Sequence, residues 1–369
     1  MAHALELGID TFGDVTVDHD GHPLSEAQVI RDVVAEGMLA DRVGIDCIGI
    51  GEHHRADFAV SSPEMVLAAI GARTEHIRLG SAVTVLSSDD PVRVFQRFAT
   101  LDAMSGGRAE VILGRGSFTE SFPLFGYDLE RYEELFEEKV DLFVQLLAEQ
   151  PVFWSGTTRA ALTGQQVHPR TEHGPLTTWI GVGGSPESVV RAARHGLPLM
   201  IAIIGGESAR FAPFVDLYLR ALDQFGRPRQ PVGVHSPGHV ADTDDEAREQ
   251  LWPHMKRMRD RIGAERGWGP MSREEFDRQA GPDGSLYVGS PETVAAKIAT
   301  TARALQLSRF DMKYSAGQLP HDLLLHSIEL YGTEVAPRVR SLLADADGAT
   351  PVGSRTDPAP SGDTHVTTR

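Results

Sequence analysis

Cys47-Ile48-Gly49-Ile50-Gly51-Glu52-His53-His54 is an apolar run of strand length that ends in a carboxylate and two adjacent imidazoles. Side chains alternate along a strand, so at a strand end at most one of two neighbouring histidines faces a shared pocket. The other is structural or faces a loop. Three readings stay open from these residues alone: a proton-transfer site, a metal site, and a solvated His pair.

Outward from this run, strand-like and helix-like segments alternate. Strands are predicted at 4–9, 47–51, 77–86, 109–113, 178–182, 199–204, 232–239 and 310–314. Helices are predicted at 26–42, 63–72, 91–104, 129–149, 186–195, 208–225, 244–262, 291–305, 322–332 and 336–343. Several of the helices open on Pro, Ser or Asp, as helix starts do. Eight strands each followed by a helix predict an α/β protein, a (β/α)8 TIM barrel with insertions at its C-terminal face. Residues 1–344 form the expected barrel, within which the polar, Gly- and Pro-containing stretch 263–285 breaks the rhythm and reads as a mobile insertion. Residues 345–369, rich in Pro, Gly, Ser, Thr and Asp, read as a disordered tail.

Composition narrows the function. The 369-residue chain is 41% hydrophobic, enough for a large core, and its formal net charge is −17. That balance argues against binding nucleic acid or an anionic membrane, both of which need clustered positive charge. Cys47 is the single cysteine, so no internal disulfide can form and a buried thiol is expected. The N-terminus lacks signal-peptide character and no apolar stretch is long enough to span a bilayer, so a cytoplasmic protein is expected.

In such barrels the reactive residues gather at the strand C-termini. By that rule Glu52, His53 and His54 share a mouth with Ser87, Ser88 and Asp89, with Gly114, Arg115, Gly116 and Ser117, and with Gly183, Gly184 and Ser185. Gly205, Gly206 and Glu207, and Lys313 with Tyr314, complete the set. The stretch Gly181-Val182-Gly183-Gly184-Ser185-Pro186-Glu187-Ser188 is the clearest anion site, because glycines admit close backbone approach and free N–H groups head the helix. Taken alone, a tight strand-to-helix turn with Ser185 as N-cap is its preferred reading. Glu207 imitates the ribose-binding acid of a dinucleotide fold, which makes a nicotinamide dehydrogenase an alternative. Val288-Gly289-Ser290-Pro291-Glu292-Thr293 has similar chemistry, and a capped helix entry is its preferred reading. Arg115 between two glycines calls for an anion, an acceptor-rich ring or a carboxylate such as Glu52. Adjacent histidines on a strand do not readily hold one ion even with His235 and His239 nearby, and no metal site is expected. There is no GxSxG.

With these residues assembled, the chain resembles the bacterial luciferase-like flavin-dependent monooxygenase family, over roughly residues 5–343. The matching motifs are Gly51-Glu52-His53-His54, Leu79-Gly80-Ser81-Ala82-Val83, Pro91-Val92-Arg93, Leu101-Asp102-Ala103-Met104-Ser105-Gly106-Gly107-Arg108, Gly114-Arg115-Gly116, Gly196-Leu197-Pro198 and Val288-Gly289-Ser290-Pro291. The resemblance implies a barrel that binds reduced FMN and uses dioxygen to oxidise a small organic substrate, with a separate flavin reductase and a homodimeric assembly. It places the flavin phosphate on Gly184, Ser185 and Ser188, with Ala82, Val83, Gly114, Arg115 and Gly183 also among the cofactor-binding residues. It also implies a cis peptide between Ala82 and Val83 against the ring. His53 matches the catalytic histidine, with Glu52 and His54 in support. Gly114 replaces the cysteine, and Gly184 the glutamate, of the light-emitting subunit, so light emission is not the expected activity. The same barrel implies two alternatives, a deazaflavin-dependent dehydrogenase and a non-catalytic flavin-binding homologue.

Overall fold

A computed structural model describes residues 4–116 and 118–348. Its eight barrel strands are β1 (Glu6–Thr11), β2 (Cys47–Ile50), β3 (Arg78–Ser81), β4 (Glu110–Gly114), β5 (Thr177–Val182), β6 (Leu199–Ala202), β7 (Val232–Val240) and β8 (Arg309–Lys313). All pair in parallel, and β8 returns to β1 with Glu6 opposite Arg309. The ring closes between β3 and β4 by a Leu79–Ala109 bridge and by the two-residue strand Thr84–Val85, which pairs with Leu113 and Gly114. Helices α1 (Glu26–Arg42), α2 (Pro63–Gly71), α3 (Pro91–Ser105), α4 (Tyr132–Leu146), α5 (Pro186–His195), α6 (Ala212–Gln224), α7 (Pro291–Leu305) and α8 (His321–Leu330) follow the strands.

Local chemistry explains the helix starts. Side-chain oxygens of Ser25, Asp90, Ser185 and Ser290 each accept a backbone N–H of the first turn of α1, α3, α5 and α7. Arg108, part of the Leu101–Arg108 motif, donates to the carbonyls of Gly71, Thr74, Ile77 and Ser105 at 2.8–2.9 Å. It ties the turn after α2 to the end of α3, a structural use of that motif.

Strand alternation sorts the core. Leu7, Ile9, Ile48 and Ile50 point outward into the large apolar layer beneath the helices. Inside the barrel stands a small separate cluster of Ile112, Trp179 and Met200, with Val83 packed on it. The interior also holds a buried charge group, in which Arg309 pairs with Glu110 and, at 2.8 Å, with Asp311, while its guanidinium stands 5.5 Å from the Trp179 ring. A buried guanidinium is tolerated here because two carboxylates answer it. Cys47 lies against Asp311 at 3.5 Å, and burial pushes its thiol well above the usual range, which leaves it inert.

The sequence reading needs correction in four places. The predicted strand 77–86 is two strands, interrupted where the Ala82–Val83 peptide is cis. Between α4 and β5, where no element is predicted, lies an antiparallel pair, Val152–Trp154 with Leu162–Gln165. The insertion is mostly helix: Asp244–Arg266 runs on past residue 262, and a second helix covers Arg273–Ala280. Ser272 caps that second helix by accepting the Glu275 N–H, an S-x-x-E box that turn-rich neighbours obscured. After α8 a π-turn (Tyr331–Val335) leads into the helix Ala336–Gly348, four residues beyond the expected end of the barrel. Residues 349–369, most of the expected disordered tail, lie outside the described residues, as does Ser117. Among the described residues no helix is long and apolar enough to cross a membrane.

Candidate active site

The two histidines after β2 part company. His53 enters an aromatic wall, stacked on Phe58 at 4.4 Å and edge-on to Phe12 at 4.8 Å and Phe118 at 5.2 Å. Its Nδ1 stands 3.8 Å from Glu120. Burial opposes ionisation of Glu120, yet the contact with His53 holds its carboxyl below the usual carboxylate range. His54 turns the other way, with Nε2 at 2.9 Å from Glu52 Oε1 and its ring edge-on to Phe125.

A second imidazole also packs against Phe12. His235 of β7 stacks on Phe12 at 6.0 Å, and its Nδ1 is 2.6 Å from Asp10 Oδ2 of β1. Lys313 sits 4.6 Å over the same Phe12 ring and donates to Asp14 at 2.8 Å. Phe12 thus links both imidazoles and an ammonium at one end of the barrel.

The Ala82–Val83 peptide lies in space that glycines leave open. A Cβ on Gly49 would meet Ala82 at 2.8 Å and one on Gly181 would meet Val83 at 2.9 Å. At Gly114 the space for a side chain is taken by Val83 itself. The glycine therefore accommodates Val83, a packing reason that the missing cysteine did not reveal.

A candidate anion cradle forms at the head of α5. Ser185 accepts the Ser188 N–H, and the Ser185 hydroxyl donates to Ser188 Oγ at 2.8 Å. Arg115 donates to the same Ser188 oxygen at 3.2 Å and Arg191 does so at 3.3 Å. The carboxylate on Arg115 is Glu133, not Glu52, and the guanidinium also lies 5.0 Å from the Tyr132 ring. Glu133 reaches Arg191 at 3.0 Å, and Glu137 grips Arg191 and Arg194. Burial opposes ionisation of Glu137, but Arg191 keeps its carboxyl below the usual range. A Cβ built at Gly183 or Gly205 meets nothing within 4 Å, so the approach to the cradle is open there. Gly184 has φ +98°, a conformation glycine adopts at no steric cost.

Other expected mouth residues lie elsewhere. Ser87 offers its carbonyl to buried Lys139, and Asp89 pairs with Arg97 in the groove between α2 and α3. Tyr314 is fully buried and donates to Glu36 of α1 at 2.5 Å. Glu207 is exposed and begins a helical turn. His235 and His239 do not converge, since His239 bonds to Gln250 at 2.7 Å. At Ser290 a carboxylate is already in place, because Asp244 accepts its N–H at 2.7 Å and the Thr293 hydroxyl at 2.9 Å.

Sequence reasoning missed Phe12, Phe58, Phe118, Glu120, Asp10, Glu133 and Arg191. Arg191 was findable, three residues after Ser188 on the same helical face. Phe12 directly follows β1 and obeys the strand-end rule. Phe118 and Glu120 come from the connection after β4 and Glu133 from the first turn of α4, and none left a local signal.

A parallel barrel that gathers an imidazole in an aromatic wall and a serine–arginine cluster at a helix head near its strand C-termini has the layout of an enzyme site. The chain belongs to the luciferase-like monooxygenase family, whose sequence profile matches residues 11–307. It is 28% identical over 349 residues to 4-hydroxyprotoasukamycin monooxygenase of Streptomyces nodosus subsp. asukaensis, covering 89% of this chain and 92% of that one. Its fold matches the oxygenating constituent of 3,6-diketocamphane monooxygenase of Pseudomonas putida, solved with FMN, with a TM-score of 0.73 at 18% identity over 91% of this chain and 99% of that one. It also matches coenzyme F420-dependent tetrahydromethanopterin reductase of Methanopyrus kandleri, with a TM-score of 0.69 at 18% identity, over 91% of this chain and 99% of that one.

Proposed function

We propose that this protein is a monooxygenase that takes reduced FMN from a separate reductase and uses dioxygen to oxidise a small organic substrate. The observation that carries the reading is the convergence of Ser185, Ser188, Arg115 and Arg191 at one helix head of the mouth that also holds His53. Two hydroxyls and two guanidinium forks suit a phosphate dianion, so these residues fit the nucleotide end of FMN. When bound, the reduced flavin supplies the electrons for oxygen activation.

The protein contributes position and proton traffic. Arg115, Arg191 and the two serines hold the phosphate, Gly183 and Gly184 let the backbone approach it, and Val83 and Gly114 shape the barrel interior towards the ring. His53 takes up and returns a proton, its ring held by Phe12 and Phe58 and its charge answered by Glu120, work suited to an imidazole. Glu52 and His54 hold this arrangement rather than touch the reacting atoms. The aromatic wall keeps water from the imidazole. A homodimer in the cytoplasm, sharing a compartment with its reductase, completes the proposal.

The test is an anaerobic titration with reduced FMN, reduced riboflavin and reduced deazaflavin, followed by labelled dioxygen and mass analysis of the product. Preference for FMN over riboflavin with label in the product supports the reading. Preference for the deazaflavin, or an unlabelled product, overturns it. A His53→Gln protein with unchanged turnover would remove His53 from the chemistry.

A further inference from the structure

We infer that Glu133 is a built-in competitor for the phosphate of the incoming flavin nucleotide, a carboxylate that holds the two cradle arginines until the ligand displaces it. This rests on the FMN reading above and concerns how the site loads.

Glu133 uses one oxygen for Arg115 and the other for Arg191, at 3.0 Å. A single anion bridging two guanidinium groups is the arrangement a phosphate would make with the same groups. Both arginines also touch Ser188 Oγ, so Glu133 ends where the cradle's other donors converge.

Glu137 does a different job. It binds Arg191 and Arg194 together and its side chain is 34% exposed, against 62% for Glu133. If Glu133 leaves, Arg191 keeps Glu137, while Arg115 keeps Ser188 and the face of Tyr132. No guanidinium is stranded. Glu133 lies in the first turn of α4, where a side-chain rotation carries it into water at little cost. The comparison with Ser290 is instructive. There Asp244 is bonded to the helix cap itself, through the Ser290 N–H and the Thr293 hydroxyl, and the turn is closed. At α5 the carboxylate holds only the arginines, so the cap remains open to a ligand.

Ligand phosphate must therefore displace a carboxylate, which lowers affinity and speeds release. An enzyme that receives its flavin from another protein in each cycle needs such exchange.

Fluorescence titration with FMN and with riboflavin tests this in the wild type and in Glu133→Gln, Glu133→Ala and Glu137→Gln proteins, alongside thermal shifts of the flavin-free proteins in inorganic phosphate. Removing the Glu133 charge should tighten FMN binding roughly five- to tenfold and slow its release, with riboflavin affinity unchanged. Inorganic phosphate should stabilise both Glu133 variants more than the wild type. Glu137→Gln should weaken FMN binding, because Arg191 loses its anchor. Unchanged or weaker FMN binding in both Glu133 variants overturns the inference and makes Glu133 an anchor or a bystander. Equal affinity of the wild type for FMN and riboflavin is a different result, which removes the phosphate reading itself.

Discussion

Glu52 Oε2 accepts the backbone N–H of Val85 at 2.9 Å, while Oε1 of the same carboxylate lies 2.9 Å from His54. One side chain thereby ties the end of β2 to Thr84–Val85, the short strand through which the ring closes onto β4. Glu52 is a positioning residue for the peptide that underlies the mouth. Glu52→Ala leaves a largely buried N–H and an imidazole without their acceptor, and should cost about 1–3 kcal/mol in urea unfolding. Glu52→Gln keeps a carbonyl for Val85 and should lose less. Hydrogen exchange at the Val85 amide checks the location, and an unchanged urea midpoint in the alanine protein would refute the clamp.

Gly114 and Val83 compete for one volume. A Cβ at residue 114 falls within contact distance of both Val83 methyls, so Gly114→Ala should destabilise by about 1–3 kcal/mol through overpacking. Trimming the neighbour should recover much of that loss, so the Gly114→Ala, Val83→Ala double variant should be more stable than additivity allows. A thermal-unfolding double-mutant cycle reads this directly. Additive losses would mean that Val83 is not what the glycine accommodates.

How much of this was legible in the sequence differs between fold and site. The bounds of α1, α5 and α7 agree with the reading because each begins at a Ser-capped or Pro-led turn and ends at a clear break. Local rules settle such elements. The strand 77–86 was legible as a run but not as two pieces, because its interruption depends on glycines from β2, β4 and β5 leaving room for Ala82 and Val83. In the site, Ser185 and Ser188 were visible as neighbours on one turn. Glu133 was not, since the carboxylate that meets Arg115 is fixed by the path of the chain after β4. Glu52 was instead the nearest candidate in the motif set, and the fold aims it at Val85. Asp10 and His235 are 225 residues apart and meet only when the ring closes.

His239 makes stability depend on pH. Burial is the main cause that pushes this imidazole down to about 4, and it bonds to Gln250 as a neutral ring. The unfolded chain takes up this proton near pH 6.5, so between about pH 6.5 and 4 the unfolded state binds more protons and stability falls with pH. The full window amounts to roughly 3 kcal/mol. Above pH 6.5 both states are neutral and the effect vanishes. Urea midpoints at pH 7.0 and 5.0 should differ less for His239→Gln than for the wild type. An equal difference would show that other groups carry the acid sensitivity.

Charge ties the helix that runs into the insertion to the loop after His53. Arg55, two residues after the imidazole, donates to both oxygens of Glu265 at 2.7 and 2.9 Å, and Asp57 accepts from Arg55 and Arg261 at 3.1 and 3.0 Å. Phe118, edge-on to His53, packs against the guanidinium groups of Arg55 and Arg266, at 4.6 and 4.8 Å from its ring centre. Because Glu265 is exposed, the pair is open to screening by salt. Glu265→Gln should raise amide exchange across residues 260–285 and in the 118–122 segment, with little change in global unfolding. High salt should do the same to the wild type and add little in the variant. Exchange that responds to neither would mean that apolar packing of the helix, rather than this latch, keeps the aromatic wall closed over His53.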